Sequence, residues 1–140
     1  MFACVYAPQS GQEKLLALAS SFSPLVEDTA PGTVIFSIVG LGRLIGGAAE
    51  IAAAVARRGS EAGIQGNLAI SADPDTALLA ARHIAGVTMI PPGKEADHIN
   101  GLAVEVLPAA PELIETLHTW GIRTLGELAE LPPRSEEHHV

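Results

Sequence analysis

The chain has 140 residues, of which 48% are apolar, and a formal net charge of −8. That apolar share argues against a disordered chain, and the length suits one domain, or one domain with a small appendage, able to bury roughly two thirds of its unfolded surface. The acidic balance disfavours tight autonomous binding to DNA or RNA.

Phe2 to Ala7 is an apolar run that predicts a buried strand stopped by Pro8. Ser10 followed by Glu13 has capping-box spacing, and Leu15, Leu18, Ala19 and Phe22 then form one helical face. Leu25 and Val26 suggest a short strand. Pro31-Gly32 signals a turn, and Thr33 to Val39 is rich in β-branched residues, as a central strand is. Leu41 to Gly47 reads as a connection, and Ala48, Ile51, Ala52 and Val55 as a second helix face ending near Gly59. A strand around Asn67 to Ile70 precedes Asp73-Pro74, an N-cap with proline at the first helical position. Ala77, Ala80, Ala81 and Ile84 give a third helix face, and Val87 to Ile90 a short strand. Further on, Pro111 opens a helix expected to carry Leu113, Ile114, Leu117 and Trp120 on one side. Gly121 stops it, and Thr124 with Glu127 caps a second helix.

The expected fold is therefore α+β: a ferredoxin-like βαββαβ sheet, an additional βα element and a C-terminal helical hairpin. The domain reading is 1–92 for the α/β part, 93–133 for the hairpin and 134–140 for a frayed tail. No apolar run approaches the ~18–20 residues that span a bilayer, and Met1 to Pro8 lacks the basic stretch of a signal peptide. The single cysteine, Cys4, cannot form an internal disulfide. A soluble cytoplasmic protein is expected, with Cys4 as a packing residue.

Candidate chemistry is sparse. The five histidines, His83, His98, His118, His138 and His139, show no HxxxH or HExxH spacing, so no metal site is expected. Leu41 to Gly47 has three glycines between a strand and a helix but lacks a GK[ST] ending, and it reads as a tight turn. Two-metal phosphoryl transfer needs several converging carboxylates, and the two expected central strands, Phe2 to Ala7 and Thr33 to Val39, contain none. Glu27 and Asp28 stand alone before the turn. One candidate remains: the turn Gly121, Ile122, Arg123, Thr124, whose backbone N–H groups could hold a phosphate weakly, with Arg123 as the nearby cation.

Four segments together resemble the Y-family (translesion) DNA polymerases, most of all their ImuB-like homologues. FACVYAP resembles the first palm strand. FSPLVEDTAPGTVIFSIVGLGRLIGG, Phe22 to Gly47, resembles the stretch in which those polymerases carry their SIDE acids. GNLAISADPDTALLAARHIAGVTMIPPG resembles the strand, helix and strand that close the palm, and LIETLHTWGIRTLGELAELP the thumb-side hairpin. Matched from Val26-Glu27, SIDE falls on Ala30-Pro31-Gly32-Thr33, so Gly32 and Thr33 replace both acids. The following Asp falls near Ser37, and the first metal-binding Asp near Tyr6, where no acid stands. By this resemblance one helix occupies the place of the fingers, and the little finger is expected to be missing.

The resemblance implies a shortened, ImuB-like chain with its catalytic carboxylates replaced. It is expected to be no enzyme, to need no cofactor and to have no catalytic residues. It would act in DNA repair and damage-induced mutagenesis, within the SOS response, through protein contacts. A RecA-like accessory protein and an error-prone polymerase would be its partners. The competing reading is a small ferredoxin-like ligand-sensing or protein-interaction domain without a DNA role. The hairpin from Pro111 to Leu131 speaks against it, since such a domain has no need of one.

Overall fold

A computed structural model describes residues 1–131, and the expected tail at 134–140 lies outside the described residues. The chain divides into two compact units, Met1–Glu95 and Ala96 onward.

The first unit is a five-stranded mixed sheet in the order β2-β3-β1-β4-β5. The strands are β1 (Phe2–Tyr6), β2 (Val26–Ala30), β3 (Thr33–Ser37), β4 (Asn67–Ser71) and β5 (Val87–Met89). β1 runs antiparallel to both β3 and β4, while β4 and β5 are parallel. The expected α+β architecture is present, with β1 and β3 adjacent. Both strands are apolar at consecutive positions, so they need cover on both faces, and they have it. On one face α1 (Gln12–Ser20) and α2 (Ala48–Glu61) bury Leu15, Leu18, Ile51 and Val55 against Val5, Phe36 and Ile70. On the other, α3 (Pro74–His83) buries Ala77, Ala80 and Ala81 against Cys4, Ile35 and Ala69.

This arrangement has a topological corollary. The β3-α2-β4 and β4-α3-β5 connections both join parallel strands, and both step the same way across the sheet. Their helices lie on opposite faces, so the two crossovers have opposite hands. One of them belongs to the left-handed kind, about 2% of such units.

Local signals hold in part. Asp73 caps α3 as expected, its carboxylate accepting from the Thr76 amide at 3.2 Å and the Thr76 hydroxyl at 2.7 Å. The Ser10–Glu13 capping box does not form. Gly11 is the N-cap of α1, without a side-chain cap, because the Ser10 amide is already turned back onto the Ala7 carbonyl. β3 stops at Ser37 rather than Val39, since Gly40 takes φ 90° and leaves Val39 exposed.

In the second unit, α4 (Glu95–Ile99, beginning at its border) and a 3₁₀ turn at Val104–Val106 precede α5 (Pro111–Thr119) and α6 (Leu125–Ala129). The expected helical hairpin is present, but its apolar face differs. Leu117 is buried, whereas Leu113 is 52% and Trp120 66% exposed. The cause is the turn: Gly121 at φ 81° lets the Ile122 amide donate to the Leu117 carbonyl at 2.8 Å and the Gly121 amide to that of His118 at 2.9 Å. This left-handed C-cap swings Ile122 inward beside Leu117 and leaves Trp120 outside. Val104, Leu117, Ile122 and Leu125 form the buried set.

Candidate functional site

Alternation along a strand puts Phe2, Cys4 and Tyr6 on the α3 face, together with Thr33, Ile35 and Ser37. The ladder pairs Tyr6 with Thr33 on one side and with Asn67 on the other. Three of the four positions that stood out by resemblance therefore gather at one end of the sheet: Tyr6, Thr33 and, next to it, Gly32. Ser37 does not join them. It pairs with Phe2 at the far end, four residues and roughly 13 Å along the strand.

Gln12, at the start of α1, organises this end. Its Nε2 donates to the Asp28 carboxylate at 2.7 Å and to the Thr33 carbonyl at 3.0 Å, and its Oε1 accepts from the Gly32 amide at 2.8 Å. Gly32 adopts φ 76°, and a Cβ there would meet the Pro8 backbone at 2.7 Å, so only glycine fits. On the same face, the Arg82 guanidinium of α3 lies 5.6 Å from the Tyr6 ring centre, a cation–π distance. Thr33 is fully buried, and its hydroxyl has no hydrogen-bond partner. Neither Gln12 nor Arg82 stood out in the sequence, because their roles depend on contacts 16 to 76 residues away.

A pair of divalent cations requires carboxylate or other hard oxygen ligands in number. A phenol, a glycine and a buried hydroxyl do not supply them, so the side chains at Tyr6, Gly32 and Thr33 do not fit that metal pair. Cys4 is no substitute ligand. Burial pushes its thiol up to about 12, against a smaller opposing pull from Arg82, so it stays protonated. Among the described residues no three His, Cys, Asp or Glu side chains converge as a metal site.

The hairpin turn is the other candidate. Gly121, Ile122, Arg123 and Thr124 are contiguous, with Ile122 buried. Their amides are all engaged: Gly121 and Ile122 with α5 carbonyls, Arg123 and Thr124 with Glu127 Oε1 at 2.8 and 3.1 Å. The next three amides donate to Leu102, Asn100 and the Thr124 hydroxyl. A carboxylate of the chain thus already sits where a phosphate would, and the Arg123 and Thr124 amides hold Glu127 below the usual carboxylate range. The glycine-rich Leu41–Gly47 connection repeats the device, its last amide donating to Glu50 Oε1 at 2.8 Å.

No protein-family model matches the chain. Among curated proteins it is similar to DNA polymerase IV from three strains of Dehalococcoides mccartyi, at 32%, 32% and 29% identity over 124 residues. The match takes in 86% of this chain and 32% of each relative, so the chain spans about a third of their length. Among solved structures it is similar to a DinB-family error-prone DNA polymerase from Sulfolobus solfataricus, with a TM-score of 0.67, 16% identity and coverage of 86% of this chain and 38% of that one. DinB from the same organism aligns at a TM-score of 0.69 and 15% identity, over 90% of this chain and 38% of its own. These structures share the fold of the sheet and its helices. The names overturn one sequence-based expectation, that the chain is no enzyme. DNA polymerase IV is the name of an enzyme, and the replacements at Tyr6, Gly32 and Thr33 do not establish a loss of activity.

Proposed function

Because this chain is homologous to the Y-family DNA polymerase IV proteins over 86% of its length, we propose that it serves DNA-damage tolerance as a palm-type module working through contacts with other repair proteins. The observation that carries this reading is the extent of the match, 124 residues that cannot be confined to the sheet unit alone. Two features support protein contacts as the mode. The net charge of −8 opposes a polyanion, and the amides of the hairpin turn are already taken by internal acceptors. A RecA-like accessory protein and an error-prone polymerase are the partners this reading calls for, in the cytoplasm and within the SOS response. No helix among the described residues is long and apolar enough to cross a membrane.

The test is genetic. Deleting the gene in its host should lower survival or mutation frequency after ultraviolet damage, and the gene restored in trans should recover them. Unchanged survival and unchanged mutation frequency would overturn the reading.

A further inference from the structure

At the end of the α3 face away from Tyr6 lies an open groove of about 420 Å³, lined by Phe2, Leu25, Glu27, Ile35, Ser37 and Pro74. It runs beside β2, which is an edge strand. Leu25 is 67% exposed there. The Ser37 amide donates to the Leu25 carbonyl at 3.0 Å, so Leu25 and Glu27 turn their backbone groups toward β3. Val26 and Asp28 turn theirs off the sheet. The register shift between Asp28 and Ala30 ends this open edge.

We propose that the edge docks an extended segment of a partner protein bearing apolar and basic residues, which adds to β2 as a sixth strand. Its backbone pairs with Val26 and Asp28, an apolar side chain enters the groove, and lysine or arginine meets Glu27 and Asp28. Strand addition of this kind draws affinity from main-chain hydrogen bonds and specificity from pockets beside the edge. Charge selects the occupant. Two copies of this chain joined β2 to β2 would bring Glu27 and Asp28 against their own kind, and a nucleic acid would meet the same carboxylates. A basic segment is attracted both by the edge and by the whole molecule. The proposal rests on the reading that the chain works through protein contacts, and names the partner's chemistry.

The probe is a fluorescein-labelled six-residue peptide, Leu-Leu-Lys-Lys-Leu-Leu, which puts leucine and lysine on both faces of the added strand, as Glu27 and Asp28 on opposite faces of β2 require. It is titrated against the full chain by anisotropy, with the peptide carrying glutamate in place of lysine as control. The lysine peptide should bind, more weakly as salt rises, and the glutamate peptide should not. Leu25→Lys and Glu27→Lys lie on the surface and should each weaken binding at least tenfold. Amide exchange at Val26 and Asp28 should slow on binding. The proposal is overturned by no binding at millimolar peptide, by equal binding to both variants, by slowed exchange at β5 instead of β2, by a chain that dimerises through β2, or by a single-stranded oligonucleotide occupying the same edge. Peptide binding alongside an unchanged damage phenotype would uphold the edge and sink the damage-tolerance role, so the two failures are distinct.

Discussion

Thr33 lies directly across the ladder from Tyr6, fully buried, with a hydroxyl that bonds to nothing. An orphaned buried hydroxyl costs roughly 1–3 kcal/mol, whereas an apolar group of the same shape does not. Thr33→Val should therefore raise stability by about 1 kcal/mol, read as a higher urea midpoint at constant slope. A lower midpoint would show that the hydroxyl has a partner after all.

Gln12 ties α1 to the β2–β3 turn through three hydrogen bonds. Gln12→Ala leaves the amide of buried Gly32 unpaired and should cost about 1–3 kcal/mol. Gln12→Glu keeps an acceptor for that amide but brings a charge beside Asp28, and should destabilise as well. Thermal melts of both variants test this, and parental melting of Gln12→Ala would contradict the clamp.

Ile35 and Phe36 face opposite sides of the sheet and are 5% and 1% exposed. Ile35→Asp and Phe36→Asp each bury an unpaired charge, at about 4 kcal/mol or more. Either variant should lose its cooperative melt by circular dichroism. If both melt as the parent does, β3 is not a core strand.

Glu127 is held below the usual carboxylate range by the Arg123 and Thr124 amides. A depressed folded-state value means that its stabilisation of the cap is present above the ordinary carboxylate range and is lost as pH falls through the lowered value. The Arg123 and Thr124 amide resonances should therefore move together on acidification below the ordinary range. In Glu127→Gln that titration should vanish; its persistence would point to another carboxylate.

The turn itself should bind DNA weakly. With its amides occupied, and with Glu112 and Glu115 on α5 and Glu130 just after α6, binding to a primer–template should be of the non-specific kind, with Kd around 10⁻⁴–10⁻⁶ M, and steeply weakened by salt. Arg123→Ala should weaken it further. Nanomolar affinity that persists at moderate salt would reverse this picture.

The parts of the fold that obey local rules were legible in the sequence. The runs at Phe2 and Thr33 announce strands covered on both faces, and Asp73-Pro74 and Thr124…Glu127 announce helix starts by chemistry within four residues. What was not legible depends on partners far along the chain. Trp120 belongs by spacing to the apolar face of α5, yet the Gly121 turn puts Ile122 in its place. α4 is five residues long and buries none of them, so it leaves no periodic trace. For the candidate site, resemblance marked Tyr6, Gly32 and Thr33 without the side chains that hold them. A glutamine sixteen residues before Asp28 carries no local sign that it will reach it.

The middle position of β1 has a consequence for synthesis. β1 is made before both of the strands, β3 and β4, that must flank it. At about 5–20 residues per second, several seconds pass between the emergence of FACVY and that of its second partner. Through that interval a nearly uncharged apolar strand waits with at least one edge open. The nascent chain therefore meets its greatest exposure to chaperones and to mispairing before the sheet closes, a hazard that no property of the finished molecule reveals.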